Sequence, residues 1–220
     1  MKIVTGARQD QYWQRVGYRD CDHPVALAYA IPKLEHVRKF TDLLGARALD
    51  VGCGTGVFTR LLSDLSSFVV GLDYSAHMLE RNPGKALIRG RGEELPFAAS
   101  SFDLVLVGNL LHHAPDPLAI VREAARVSRR YVVVIEPNVL NPVMFLFSLI
   151  VPAERGGLRS SRRYLVRLLR ESALEVIQCS GMGMISQNNT PAFLVPLLRV
   201  FDRELFWGEY LVAIARKPTA

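Results

Sequence analysis

Three glycines, Gly52, Gly54 and Gly56, alternate with other residues directly after a short apolar run over residues 46–51. Glycine adopts positive φ without strain, and a ligand can approach its backbone closely because no Cβ stands in the way. In open α/β sheets, a strand that ends in a glycine-rich turn and leads into a helix places a ligand at the carboxyl ends of the strands. The glycine loop therefore predicts an α/β fold with a ligand site at that edge of the sheet.

Runs rich in valine, isoleucine and leucine alternate with stretches of helical period along the rest of the chain. This alternation predicts a parallel sheet with right-handed crossovers. We expect a seven-stranded, mostly parallel sheet with helices on both faces and a last strand inserted antiparallel. Strands are predicted at residues 46–51, 68–73, 86–89, 102–107, 131–136, 174–179 and 209–215. Helices are predicted at 26–40, 57–65, 75–81, 117–128, 142–151 and 192–203, and an arginine-rich loop followed by a helix at 155–171.

Composition excludes several classes of protein. Half of the 220 residues are hydrophobic, which is enough for a substantial core in a chain of single-domain length. Three cysteines lie far apart, so we expect no disulfide framework, no metal site and a reducing, cytoplasmic location. The longest apolar run, residues 143–151, is much shorter than the roughly 20 residues of a membrane-spanning helix.

The spacing of the glycines bears on the ligand. Dinucleotide-binding loops have the pattern G-x-G-x-x-G, whereas this loop has G-x-G-x-G, which disfavours a nicotinamide oxidoreductase. Asp73 closes the second predicted strand 17 residues beyond Gly56. An acid at that strand end can accept hydrogen bonds from both hydroxyls of a ribose. The ligand is therefore expected to contain a ribose but no pyrophosphate.

Four blocks of sequence together resemble the class I S-adenosylmethionine-dependent methyltransferases, in the small-molecule, type 11-like branch. The resemblance covers about residues 46–137 and implies the Rossmann-like form of the fold, S-adenosylmethionine as cofactor and S-adenosylhomocysteine as product. The blocks are residues 49–56 (LDVGCGTG), 71–75 (GLDYS) with 78–79 (ML), 92–97 (GEELPF) with 101–105 (SFDLV), and 111–116 (LHHAPD).

The resemblance also implies which residues contact the cofactor. The glycine loop would pass beneath the methionine and ribose portions, and Asp50 would order that loop or meet the amino group. Asp73 would hold the ribose, Tyr74 and Met78 would present apolar surface to the adenine, and Asn109 would lie at the methionine end. The expected cofactor contacts are Asp50, Gly52, Cys53, Gly54, Gly56, Asp73, Tyr74, Met78, Gly92, Glu93 and Asn109.

One position departs from the family pattern. Many relatives have Asp or Asn where this chain has Arg91, and that residue accepts a hydrogen bond from the adenine amino group. Arginine has no acceptor atom, so either Arg91 points to solvent or adenine recognition is looser in this chain. We favour the solvent-exposed arrangement.

The implied reaction is an in-line displacement of a methyl group from a sulfonium, and a base is required only if the acceptor is protonated. The residues that could serve as that base are His23, His112, His113 and Glu136. His112 and His113 could instead pack structurally beneath the loop, which is the interpretation that we favour. No catalytic residue is assigned from the sequence.

The parts outside the resemblance must select the acceptor. Residues 1–44 are expected to form an N-terminal helical extension, 45–137 the cofactor-binding core, 138–206 a cover on the acceptor side with a late strand, and 207–217 the final strand. The cover is apolar with a basic rim, which favours a small apolar or amphiphilic acceptor.

Two other functions stay open. One is methylation of RNA or tRNA, although the chain has no Asn-Pro-Pro-Tyr, Asp-Pro-Pro-Tyr or Pro-Cys motif and lacks aromatic residues interleaved with its basic ones, which disfavours nucleic acid. The other is a cofactor-binding module without catalysis. A peripheral membrane contact and the oligomeric state are also left open.

Overall fold

The computed structural model describes residues 17–218. Tyr12 and Trp13, which the sequence places in the N-terminal extension, lie outside this range. Seven strands form one sheet. They are β1 (Arg47–Val51), β2 (Phe68–Asp73), β3 (Leu87–Arg89), β4 (Phe102–Gly108), β5 (Ser128–Pro137), β6 (Glu175–Met182) and β7 (Tyr210–Arg216).

Helices cover both faces of the sheet. They are α1 (Pro24–Arg38), α2 (Val57–Ser63), α3 (Ala76–Glu80), α4 (Pro117–Val127), α5 (Pro142–Ile150), α6 (Arg162–Glu171) and α7 (Val195–Leu198). Short 3₁₀ helices span Pro152–Arg159, Ala192–Leu194 and Arg199–Phe201. Among the residues described, no helix is long and apolar enough to cross a lipid bilayer.

The strand order is β3-β2-β1-β4-β5-β7-β6. The first five strands, β1 to β5, run parallel to one another, and β7 lies antiparallel between β5 and β6. This arrangement confirms the predicted seven-stranded, mostly parallel sheet with an inserted antiparallel last strand. The direction of strand addition reverses between β1 and β4, and such a switch point is where α/β sheets bind ligands.

The alternation of side chains along β4 explains why both faces of the sheet are covered. Leu104 and Leu106 pack in the same apolar cluster as α1 and α2, whereas Val105 and Val107 pack in the cluster that contains residues of α4 and α6. All four side chains are fully buried. A strand buried on both faces has a continuous apolar sequence, which is the pattern that predicted it.

The predicted helix at residues 192–203 is wrong. The chain forms three short turns there, Ala192–Leu194, α7 and Arg199–Phe201. Val195 is buried and Leu198 packs against the core, but most of the segment is exposed, so the apolar contact is too short to extend a helix. Pro196 also lacks the N–H group that a helix interior requires.

Candidate active site

A cavity of about 240 Å³ lies at the carboxyl ends of β1, β2 and β4, at the switch point of the sheet. Ten of the eleven residues expected to contact the cofactor line this cavity. They are Asp50, Gly52, Cys53, Gly54, Asp73, Tyr74, Met78, Gly92, Glu93 and Asn109.

Gly56 is the exception, because it is not among the described residues that line the cavity. Its φ of 89° and a close approach of the Asn82 side chain to the place where a Cβ would stand both require glycine. Gly54 has a φ of 51°, and nothing among the described residues lies within 4 Å of its missing Cβ. Gly56 therefore has a conformational role in the loop and its cofactor contact stays a prediction, while Gly54 leaves open space for a ligand.

The Asp73 carboxylate is fixed by backbone groups on both sides. Its Oδ2 accepts a hydrogen bond from the N–H of Gly54 at 2.8 Å, and its Oδ1 accepts one from the N–H of Ser75 at 2.9 Å. Asp73 is half-buried and lines the cavity. Each carboxylate oxygen has a second lone pair, so these bonds are compatible with holding ribose hydroxyls.

Asp50 is buried beneath the glycine loop and accepts a hydrogen bond from the Thr59 hydroxyl at 2.7 Å. Burial, together with the nearby charge of Asp73, raises the pKa of Asp50 to about 7, although the bond to Thr59 opposes this shift. The bond joins the end of β1 to α2, so Asp50 orders the loop while also lining the cavity. Burial likewise raises the pKa of the Cys53 thiol above its ordinary value, which disfavours a thiolate nucleophile.

Arg91 is exposed at the rim of the cavity, as expected. Its guanidinium carbon lies 5.9 Å from the centre of the Tyr74 ring, and its Nε lies 3.6 Å from Oε2 of Glu93. Met78 is buried below this rim. The cavity therefore offers apolar and aromatic surface at the end where adenine is expected.

Asn109 directly follows β4 with a φ of 51°. Its Nδ2 donates a hydrogen bond to the hydroxyl of Tyr29 at 2.8 Å, and its backbone N–H donates to Ile135 at 2.7 Å. The Oδ1 atom is buried and has no partner among residues 17–218. An orphaned buried acceptor that lines the cavity fits a ligand with N–H donors, such as the amino group of S-adenosylmethionine.

Glu136 fixes the turn after β4 and does not line the cavity among the described residues. It is fully buried, and its Oε1 accepts the N–H groups of Leu110 and Leu111, both at 2.8 Å. Its Oε2 accepts the N–H of His112 at 3.1 Å and faces Nδ1 of the same ring at 2.6 Å. Because its acceptor positions are already used, Glu136 positions His112 and is unsuited to act as a base.

His112, His113 and Glu154 meet at one wall of the cavity. The Nε2 atoms of His112 and His113 lie 3.3 and 3.9 Å from Oε2 of Glu154. Nδ1 of His113 faces the carbonyl of Ala153 at 3.2 Å. The ligand atoms of the three side chains all lie within 4.8 Å of one another, so this cluster could hold a metal ion.

The two histidines have opposite pKa shifts. Burial alone would lower the pKa of His112, but the Glu136 and Glu154 carboxylates outweigh this effect and raise it to about 10. Burial and then the charge on His112 lower the pKa of His113 to about 3. Burial would raise the pKa of Glu154, yet the bond to His112 and the charges of both histidines bring it below its ordinary value.

His23 lies away from this cluster and is not among the described residues that line the cavity. Its Nδ1 accepts the N–H of Val25 at 3.2 Å and so caps the start of α1. Of the four residues predicted to be able to act as a base, the structure therefore places His112 and His113 at the cavity and neither His23 nor Glu136.

The first helix after β5 supplies part of the opposite wall. Met144 and Phe147 of α5 line the cavity, while Phe145 is exposed and is not among the described residues that line it. Most of α5 is exposed, with only Met144 and Ser148 buried, so the segment is not ordinary core. The cover on the acceptor side stays a prediction, and of its two phenylalanines in α5 the structure places Phe147 at the cavity and not Phe145.

A segment of residues 17–20, the strap, contributes to the cavity wall beside the glycine loop. Tyr18 lines the cavity, and the carbonyl of Arg19 accepts a hydrogen bond from the Thr55 hydroxyl at 2.9 Å. The N–H and guanidinium of Arg19 donate to Asn188 Oδ1 at 3.2 Å and to the carbonyl of Gln187 at 3.0 Å. The sequence analysis predicted neither this strap nor the place of Glu154 at the cavity. For Glu154, the only indication in the sequence was a single acid directly after an apolar helix.

A family model described as a methyltransferase domain matches residues 49–135. An Arabidopsis thaliana protein named as a chloroplastic methyltransferase is 31% identical over 198 residues, covering 82% of this chain and 52% of that protein. The demethylmenaquinone methyltransferase of Bacillus licheniformis is 39% identical over 113 residues, covering 47% of this chain and 49% of that enzyme. The chain thus spans about half the length of these two relatives.

A third relative matches over most of both chains. The ubiquinone biosynthesis O-methyltransferase of Neisseria meningitidis is 29% identical over 196 residues, covering 79% of this chain and 80% of that enzyme. Among solved structures, an S-adenosylmethionine-dependent methyltransferase from Thermotoga maritima superimposes with a TM-score of 0.67 at 20% identity, covering 86% of this chain and 89% of that one. At this identity the structural match supports the fold alone.

Proposed function

We propose that this chain, which belongs to the class I S-adenosylmethionine-dependent methyltransferases, transfers a methyl group to a small acceptor with an apolar or amphiphilic body. The observation that carries the proposal is a single cavity whose walls include both the glycine loop with Asp73 and the apolar side chains of α5. When bound, S-adenosylmethionine supplies a methyl group already activated on a sulfonium. The acceptor then needs only a site beside that group.

The chain itself contributes binding, orientation and exclusion of water. Asp73 and the glycine loop would hold the ribose and the methionine portion, and the orphaned Oδ1 of Asn109 would accept a hydrogen bond at the methionine end. Phe147 and Met144 would keep water from the acceptor end. Orienting two reactants in this way can supply about 7–11 kcal/mol of the barrier.

The walls at the acceptor end indicate what the acceptor looks like. Met144 and Phe147 are apolar, whereas His112, His113 and Glu154 present polar and charged atoms. An aromatic ring with a hydroxyl group and an apolar substituent would meet both kinds of wall. Two of the relatives are named for quinone substrates, which supports a quinol-like acceptor for this chain.

The outer face of α5 suggests where such an acceptor comes from. Leu146 and Ile150 are exposed on this helix, and Leu197 of α7 is exposed as well. Arg199 adds positive charge beside Leu197. We infer a peripheral contact with an anionic lipid surface, through which an amphiphilic acceptor reaches the cavity.

The central experiment measures binding of S-adenosylhomocysteine by calorimetry and its formation in the presence of hydroxylated quinols. Binding together with product formation supports the proposal. Tighter binding of NADH would overturn the cofactor assignment, and binding without turnover across the acceptor series would favour a non-catalytic module. Transfer RNA in the same assay tests the nucleic-acid alternative, and the cytoplasmic location remains a prediction.

Sedimentation with vesicles of anionic phospholipid tests the lipid contact. Leu146→Glu should reduce vesicle binding because it places a charge in the apolar face. Leu44→Glu is the matched control, because Leu44 is also exposed but precedes β1, at the end of the sheet away from the cavity. Equal binding by both variants and the unaltered chain would contradict a contact through α5.

A further inference from the structure

His112, His113 and Glu154 lie close together at the cavity wall, and their side chains are of the kinds that bind metal ions. Two imidazole rings and one carboxylate, from the turn after β4 and the 3₁₀ helix after α5, are brought together at the cavity wall. The two distances from the ring Nε2 atoms to Glu154 Oε2, 3.3 and 3.9 Å, are close to the separations between neighbouring ligands around one ion. For ligand bonds of about 2.1 Å, that separation is about 3.0–3.4 Å.

The far side of each ring is held in the way that metal-binding histidines require. Nδ1 of His112 faces Oε2 of Glu136 at 2.6 Å, and Nδ1 of His113 faces the carbonyl of Ala153 at 3.2 Å. An acceptor at Nδ1 fixes the proton there and directs the lone pair of Nε2 to the opposite side. In this cluster that side is the one occupied by Glu154.

We propose that His112, His113 and Glu154 form a binding site for a divalent transition-metal ion, and that the acceptor's hydroxyl oxygen completes the coordination of that ion. The proposal rests on the proposed methyl transfer for the role of the ion, but not for its binding. Two imidazoles and one carboxylate on one side of an ion are typical of Fe(II), Mn(II), Co(II) or Zn(II) sites that keep open positions. Oxygen-preferring Mg²⁺ suits this donor set less well.

Charge balance also favours a cation at this place. Glu136 is fully buried and Glu154 is largely buried, so two carboxylates lie within reach of one ring with little water to screen them. A divalent ion would compensate both negative charges. It would replace the proton on His112, since a nitrogen that binds metal must give up its proton.

A bound ion would favour the deprotonated, reactive form of the acceptor's hydroxyl group. Coordination lowers the pKa of a bound hydroxyl group, so the acceptor releases its proton to solvent. The acceptor oxygen then forms a bond to the methyl carbon, and the bond from that carbon to sulfur breaks with both electrons remaining on sulfur. The products are a methyl ether and a neutral thioether, and no oxidant or reductant is needed.

The test is a titration of untagged protein with Co(II), followed by its visible absorption. We expect one equivalent to bind, and both Glu154→Gln and His113→Gln to weaken binding by more than about tenfold. His77→Gln is the matched control, because His77 of α3 is not among the described residues that line the cavity. Calorimetry with S-adenosylhomocysteine shows in parallel that each variant keeps its folded cofactor site.

Three outcomes would overturn the metal site: no binding of Co(II), equal weakening in His77→Gln, or unchanged binding in both cluster variants. Full methyl transfer by chelator-treated protein would also reject the role of the ion while leaving the proposed function intact. Conversely, Co(II) binding at the cluster without any methyl transfer would retain the site and reject the function.

Discussion

Asp73 and Gly54 are joined by a hydrogen bond of 2.8 Å, from the glycine N–H to Oδ2 of the carboxylate. The residue expected at the ribose therefore also holds the loop that passes beneath the ligand. Gly54 can be reached in this way because its φ of 51° turns the backbone toward β2. Binding and loop geometry consequently depend on the same carboxylate.

Asp73→Ala should weaken binding of S-adenosylhomocysteine. Loss of hydrogen bonds from ribose hydroxyls to a charged acceptor costs roughly 1.5–3 kcal/mol, or on the order of tenfold to a hundredfold in affinity. Calorimetry measures the change, with Asp64→Ala, an exposed acid at the end of α2, as the control. Equal affinities in the two variants would remove Asp73 from the cofactor site.

Glu136→Gln should destabilise the protein strongly. The amide would present N–H groups toward backbone donors that now meet a carboxylate, and His112 would lose the nearer of its two charged partners. Breaking a buried pair of this kind costs about 3–5 kcal/mol, measurable by urea unfolding. Glu175→Gln breaks an exposed pair with Arg216 and should change stability little, so similar effects in both variants would contradict the positioning role of Glu136.

Phe147→Ala and Phe145→Ala should differ, although the two residues are neighbours on α5. Phe147 lines the cavity, and removing its ring should lower kcat/KM for a quinol acceptor by about tenfold or more while cofactor affinity is retained. Phe145 is exposed, so its removal should leave turnover of a water-soluble acceptor unchanged. If cofactor binding and melting temperature collapse together in Phe147→Ala, the ring is part of the core and not of an acceptor site.

Stability should depend on pH through Lys33, which is buried in α1 and donates a hydrogen bond to the carbonyl of Tyr29 at 2.8 Å. Burial lowers the pKa of Lys33 to about 7, against the opposing charges of Glu209 and Asp202. Between pH 7 and the ordinary lysine pKa of 10.5, the unfolded chain keeps a proton that the folded chain has released. The unfolding free energy should therefore rise with pH across this range.

Urea unfolding of the unaltered chain and of Lys33→Met, at pH values from about 7 to about 9, checks the sign. The difference in unfolding free energy between the two proteins should grow in favour of the unaltered chain, and the proton of Lys33 contributes at most about 1.4 kcal/mol per pH unit to it. Burial raises the pKa of Glu209, and loss of Lys33 would raise it further. The folded variant would then become less stable as pH rises, which also increases the difference between the two proteins. A difference that stays constant with pH would show that Lys33 remains charged in the folded protein.

Local sequence patterns predicted most of the sheet and the cofactor side of the cavity. The β4 pattern has four consecutive apolar residues, and the bounds of β2 match the predicted strand because a charged residue ends it at Asp73. The glycine loop needs three special φ values within five residues, which few other sequences would tolerate. Such features are visible because the physical requirement lies within a few residues of chain.

The acceptor side could not be predicted in the same way. Arg19 meets Asn188 across 169 residues, and Asn109 meets Tyr29 across 80. Glu154 reaches His112 because the 3₁₀ helix after α5 packs closely against the backbone of His112. These contacts depend on how segments pack, and no periodicity in the sequence encodes them.

The position of β7 has a consequence for how the protein assembles during synthesis. β6 pairs with β7 and with no other described strand, yet β7 is made after it and must enter between β6 and β5. Until the ribosome releases β7, the edge of β5 and the whole of β6 lack their hydrogen-bond partners. The apolar cluster on one face of the sheet is also incomplete, because Val212 and Ile214 of β7 belong to it. The first five strands can form a sheet earlier. The speed of synthesis and binding by a chaperone should therefore affect the folding of β6 and β7 more than that of the other strands.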